Sequence, residues 1–180
     1  MLQITIPAAE MYDERKNEFV SIKEQTLQLE HSLVSLQKWE SKWCKPFLNK
    51  QDKTSEELLD YVKCMTITQN VDPIVYHFLT NDNIKQINSY IEAPMTATTF
   101  SEDKNAKKNR EIITAELIYY WIIALNIPFE CRKWHLNQLL TLVKVCNIKN
   151  QPPKKTSKKD LLSRNAALNA ARRKQFNTSG

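Results

Sequence analysis

The sequence predicts a mainly α protein: a bundle-like helical domain with a small N-terminal β-hairpin or sheet, followed by a basic C-terminal helical tail. Three observations carry that expectation. Apolar residues recur at helical spacing in successive segments from Ser32 onward, whereas period-two alternation is confined to the residues before it. The only glycine is Gly180, where average usage would put roughly a dozen in a chain of this length. Glycine supplies positive φ in primed hairpin turns and phosphate-cradling loops, so its scarcity argues against a glycine-turned β-sandwich. It also excludes Walker A and GxGxxG loops. Hydrophobic residues make up 42% of 180 residues, enough to build the core of one domain with an appendage.

The N-terminal segment reads as strands. Leu2, Ile4 and Ile6 alternate with Gln3 and Thr5, and Pro7 ends the run. Glu18–Ile22 is a second candidate, with Asp13–Asn17 placed to turn a hairpin between the two. Thr26–Glu30 is a third. Three short strands still need a helix on their apolar face to be stable.

Helical signals then follow one another. Leu33, Leu36, Trp39 and Trp43 recur at steps of three and four, giving an apolar, aromatic face. Thr54 and Glu57 form a capping box, after which Leu58, Leu59, Val62 and Met65 lie on one side. Asp72-Pro73 is an N-cap followed by proline in the first turn, with Ile74, Val75, Phe78 and Leu79 facing inward. Thr80–Asp82 opens a further helix carrying Ile84, Ile87 and Ile91, which ends before Pro94. Met95–Asn109 is polar and aperiodic and reads as a loop. Two long helices, Arg110–Leu125 and Phe129–Cys146, are joined across Asn126-Ile127-Pro128. They carry Trp121 and Trp134 and are expected to form the centre of the core.

The chain divides on composition into a domain, residues 1–150, and a tail, residues 151–180. The tail holds Lys154, Lys155, Lys158, Lys159, Arg164, Arg172, Arg173 and Lys174 against Asp160, a balance of +7. The whole chain is +6, which leaves the domain at −1. Ser157 and Asp160 mark the start of a last helix rich in alanine and leucine. Such a helix invites a partner: an acidic protein groove, its own domain, or nucleic-acid phosphates.

No catalytic, cofactor or metal motif is legible. Cys44, Cys64, Cys131 and Cys146 are at least fifteen residues apart and form no CxxC pair. Met1-Leu-Gln-Ile-Thr-Ile lacks the basic start and apolar run of a secretory leader, so reduced thiols in a cytoplasm are expected. The apolar stretch Ile112–Ile127 is sixteen residues long, short of the roughly 20 that a membrane span needs. His31, His77 and His135 sit in no ligand motif. Cys131 and His135, four apart, are the one pair that a single helix face would bring together, and a thiol and an imidazole flanking a core stripe is the simpler reading. Glu116, inside an apolar helix, needs a partner such as Arg110 or Lys133, or must edge to the surface. Trp39 and Trp43 alternate with Lys38, Lys42 and Lys45. That pattern suits a core face with solvated lysines, and also single-stranded nucleic-acid stacking.

Three stretches carry a resemblance. They are Leu27-Gln-Leu-Glu-His-Ser-Leu-Val-Ser-Leu-Gln-Lys-Trp-Glu-Ser-Lys-Trp43 with Lys45-Pro-Phe-Leu48, then Cys64-Met-Thr-Ile-Thr-Gln-Asn70, then Ser163-Arg-Asn-Ala-Ala-Leu-Asn-Ala-Ala-Arg-Arg173. Together they resemble small proteins of long-tailed bacteriophages, of the tail assembly chaperone type, and the similarity extends over nearly the whole chain. The resemblance implies a helical, non-enzymatic protein made in the cytoplasm of the infected cell. It would keep the hydrophobic tape-measure protein soluble and recruit tail-tube subunits, with no membrane partner and with self-association left open. No catalytic or ligand residue carries over. The expected protein-binding positions are Trp39 and Trp43 on one helix and Leu161 and Leu168 on the tail helix. Two other classes stand beside this one: a structural virion component such as a head–tail connector or tail terminator, and a phage nucleic-acid-binding or regulatory protein acting through the basic tail.

Overall fold

The computed structural model describes residues 1–13, 17–49, 52–100, 111–151 and 158–178. The chain is mainly helical and divides into two compact units, Met1–Asn147 and Ile148–Gly180.

The first unit opens on four short strands: β1 (Leu2–Ile6), β2 (Ala9–Asp13), β3 (Glu18–Ile22) and β4 (Gln25–Leu29). β1 pairs antiparallel with β4, Leu2 opposite Leu29 and Ile6 opposite Gln25. β2 pairs with β3, Ala9 opposite Ile22. The arm therefore runs out and back as one hairpin in two ladders, interrupted at Pro7, which has no N–H to donate to a ladder. This corrects the expected hairpin between β1 and β3: the partner of β1 is β4, and β2 is an additional strand. β2 shows no alternation because only the Ala9–Ile22 end of its ladder reaches the core. Met11, Tyr12 and Phe19 are exposed, and Tyr12 and Phe19 meet each other across the strands, ring centroids 5.1 Å apart. In the β1–β4 ladder, by contrast, Ile4, Ile6, Leu27 and Leu29 are buried on one face.

Helix α1 (Leu33–Trp43) begins at a Ser32 capping box closed by Ser35. Helix α2 (Ser55–Met65) begins at the Thr54–Glu57 box. Pro73–Phe78 is a 3₁₀ helix capped by Asp72, whose carboxylate accepts from the Ile74 N–H. Helix α3 (Asn81–Glu92) starts at Thr80 and stops before Pro94. Residues 95–100 lack regular structure, and the rest of the expected polar loop lies outside the described residues. Helix α4 (Ala115–Ala124) begins at Thr114, later than Arg110.

The expected single helix from Phe129 to Cys146 is broken. Phe129–Lys133 is a 3₁₀ turn, and helix α5 (Leu136–Asn150) starts only after Trp134-His135. The break has a tertiary cause. Ser32 and His135 form an isolated antiparallel bridge, and the Leu136 N–H donates to the His31 carbonyl. Helical continuity is given up to tie α5 to the start of α1.

Two apolar clusters result, and α1 serves both. The first gathers Ile4, Ile6, Leu27 and Leu29 of the ladder with Trp39, Tyr61, Met65, Val75 and Ile87. The second gathers Leu33, Leu36, Ile118, Ile122, Leu136 and Leu139. The tryptophans of the expected helix pair do not centre the core: Trp121 is only half-buried and Trp134 is 42% exposed. Trp39 and Tyr61 take that place, each 1% exposed. With glycine scarce, left-handed turns fall mainly to asparagine: Asn17, Asn70, Asn126 and Asn177 all have φ near +55°.

The second unit contains helix α6 (Lys158–Phe176). Its side chains from Leu161 onward are exposed. The expected Ser157 cap lies outside the described residues.

Candidate functional site

The Trp39–Trp43 helix is where sequence reasoning placed a binding surface, and the structure uses it otherwise. The indole N–H of Trp39 donates to the Glu57 carbonyl at 2.8 Å, and that of Trp43 donates to Asp60 Oδ2 at 2.9 Å. Their rings stack at 6.1 Å. Lys42 pairs with Asp60, and Lys45 Nζ lies 2.6 Å from Glu57 Oε1. Burial would raise the Asp60 carboxyl, but Lys42 and Trp43 hold it below the usual range. Lys45 does the same for Glu57. The interleaved lysines and tryptophans therefore bolt α1 to the first half of α2. Trp39, 1% exposed, cannot present a face to a partner, and Trp43 is half-buried.

An acid that sequence reasoning passed over has the larger structural role. Glu40 is buried, and its carboxylate accepts from the Phe47 N–H at 2.8 Å and the Ala115 N–H at 2.7 Å. It thus closes the α1–α2 turn and caps the N-terminus of α4, where a helix favours negative charge. Burial nevertheless pushes its pKa up. The signal was available, since Glu40 falls four residues after Leu36 on the apolar face. Glu116, singled out instead, is exposed.

The histidines also meet in a way that spacing conceals. His31 and His135 lie ring to ring, 5.1 Å between centroids. His31 Nδ1 is 2.6 Å from the Tyr61 hydroxyl. His135 Nε2 is 2.9 Å from the Tyr90 carbonyl, which only accepts, so Nε2 carries the proton. His135 Nδ1 is then free to accept from the Asn137 N–H. The network continues through the Tyr90 hydroxyl to Glu30 at 2.7 Å and from Glu30 to the N-terminal amine at 3.0 Å. Burial, reinforced by His135, pushes His31 down to about 4. His135 is lowered by burial as well. Both rings are neutral, and their bonds tie the β4–α1 junction to α2 and the start of α5 to α3. Cys131 does not join His135 on one helix face: it lies in the preceding 3₁₀ turn, its buried thiol held protonated. Among the described residues no cluster of three or more His, Cys, Asp or Glu is placed to hold a metal ion. Nor is any helix there long and apolar enough to cross a membrane.

An apolar groove of about 400 Å³ lies between α2, the Pro73–Phe78 turn and α3. Its floor is Tyr61, Val62 and Ile87, and its walls are Phe47, Leu59, Leu79 and Ile91. Leu58 and Ile84, expected in the core from their spacing, stand at its lips 49% and 45% exposed. The elements around it are acidic. Residues 52–93 hold Asp52, Glu56, Glu57, Asp60, Asp72, Asp82 and Glu92 against Lys53, Lys63 and Lys85; with Glu57 and Asp60 paired to Lys45 and Lys42, the balance is −2. Such a groove can take apolar side chains from an approaching helix and favours one with basic flanks. Leu161 and Leu168, the tail positions expected to bind protein, are exposed on α6.

Comparison with protein-family models, with curated proteins and with solved structures finds no match for this chain.

Proposed function

We propose that this chain is a non-enzymatic assembly chaperone for phage tails that holds apolar helical segments of the tape-measure protein, together with tail-tube subunits, in the infected cell. One observation supports it above the others: the groove between α2 and α3, whose lips keep Leu58 and Ile84 in solvent. Large apolar side chains at the rim of a concave surface mark an interaction site more often than an accident of packing. The resemblance of the Leu27–Trp43, Cys64–Asn70 and Ser163–Arg173 stretches to tail assembly chaperones points the same way.

The size of the groove suits a holding role. It accommodates two or three leucine-sized side chains, each contributing about 1.5–3 kcal/mol on burial. Ordering costs take up much of that, so the grip is reversible. A chaperone that must release its client as the tube polymerises needs such a grip. The groove now replaces the Trp39–Trp43 helix as the site assigned to the client.

The test is binding of labelled amphipathic helical peptides taken along the tape-measure sequence of the same genome. Peptides with an apolar stripe and basic flanks should bind the native chain, and Leu58→Glu or Ile84→Glu should weaken them at least tenfold without unfolding it. Equal binding to native chain and groove variants would remove the groove from the account.

A further inference from the structure

We infer that α6 is a DNA-binding arm, a polyanion-directed surface separate from the groove of the first unit. The first argument is charge. Residues 151–180 carry +7 while residues 1–150 sum to −1, and the cations of α6 gather toward its two ends, with Arg164 between them. Lys158 and Lys159 are in the first turn, and Arg173 and Lys174 are in the last. Lysines at a helix N-terminus oppose the helix dipole, so their position does not serve the helix itself. At about 1.5 Å per residue the two groups lie roughly 20 Å apart along the axis. The major groove of B-form DNA is about 12 Å wide and admits one α-helix. A helix lying in it with cations at both ends brings them to the phosphates of both strands.

The second argument is the middle of the helix. Asn165, Leu168, Asn169, Arg172 and Phe176 follow Leu161 at helical spacing on one face. Two amides and a guanidinium thus share the face of the leucines. That face is no apolar stripe, and an apolar protein groove would leave the amides unpaired. Against base edges the same side chains are matched: asparagine pairs with adenine N6 and N7, and arginine with guanine O6 and N7. Ala166, Ala167, Ala170 and Ala171 keep the remaining faces slim. All described side chains from Leu161 onward are exposed and so available. The deep, narrow major groove of A-form RNA does not admit such a helix.

The experiment is fluorescence anisotropy of the full chain with labelled 20-base-pair duplex DNA across salt. Contacts to four phosphates give a log–log slope of about −3.6, a loss of roughly 150-fold in affinity between 50 and 200 mM salt. Arg172→Gln with Arg173→Gln should weaken binding at least tenfold and make the slope shallower by about 0.9, the share of the Arg173 phosphate contact. Lys38→Gln with Lys133→Gln, exposed cations of the first unit, should change neither. Asn165→Ala with Asn169→Ala should keep the slope and narrow the spread of affinities among duplexes of different sequence. No binding at 50 mM salt, equal binding to polyglutamate, or loss through the Lys38 and Lys133 variant in place of the arginine variant would overturn the assignment. Polyglutamate binding would hand α6 to an acidic protein instead.

Discussion

Acidification from pH 7.5 to pH 5 should cost the first unit about 2 kcal/mol through His31 alone. The imidazole is buried beside His135 and is pushed from 6.5 down to about 4. In the unfolded chain it titrates in the ordinary range. Between those two values the unfolded state binds more protons than the folded state, so stability is complete above pH 6.5 and declines as pH falls toward 4. His135 adds in the same direction. Protonation there puts a second N–H on the ring, at Nδ1, facing the Asn137 N–H that Nδ1 now accepts. Tyr61 and Tyr90, the tyrosines of the network, are neutral throughout this range, their pKa values raised by burial. The assay is urea unfolding at pH 7.5, 6.0 and 5.0 for the native chain and for His31→Gln, whose amide can still accept from Tyr61. With m near 2 kcal/mol/M, the native midpoint should fall by about 1 M more than that of the variant. Equal shifts in both proteins, or an NMR titration of His31 near 6.5, would refute the reasoning.

Three further outcomes follow from the packing and hydrogen bonds. Trp39→Ala should destabilise by about 3–5 kcal/mol in thermal or urea unfolding, and Trp43→Ala by less than half of that, because Trp43 is only half-buried. Glu40→Gln turns an amide N–H₂ toward either the Phe47 or the Ala115 N–H, which should cost about 1–3 kcal/mol. Hydrogen exchange should place the loss at Ala115 at the start of α4 or at Phe47 in the turn after α1. Thr54→Ala removes the acceptor for the Glu57 N–H and should cost about 1 kcal/mol, with faster exchange confined to the first turn of α2.

Local chemistry was legible wherever it acts within a few residues. The Thr54–Glu57 box, the Asp72 cap before Pro73 and the Thr80 start each stand where the side chains require. Strand β1 and the Trp39 stripe were readable because one face of each meets a core. Long-range partnership was not readable. β2 carries no alternation, since only Ala9 at its start touches the core and the residues after it are exposed, and so it left no pattern. The break at Trp134-His135 exists because a bridge to Ser32, about a hundred residues earlier in the chain, outweighs local helix propensity. Leu58 and Ile84 have core spacing but sit at the groove lips, because α2 and α3 do not close over them. The histidine pair was invisible for the same reason, since proximity in the fold leaves no trace in spacing. Glu40 was readable and passed over: a carboxylate on an apolar helical face predicts a buried acceptor, and two backbone N–H groups duly meet it.

The most direct test of the chaperone proposal is co-expression with the tape-measure protein of the same genome, scoring soluble tape measure and co-purification. The account predicts soluble tape measure that elutes with the native chain and aggregates with the well-folded Leu58→Glu, Ile84→Glu double variant. Tape measure that stays insoluble with the native chain, or is rescued equally by the double variant, would contradict it.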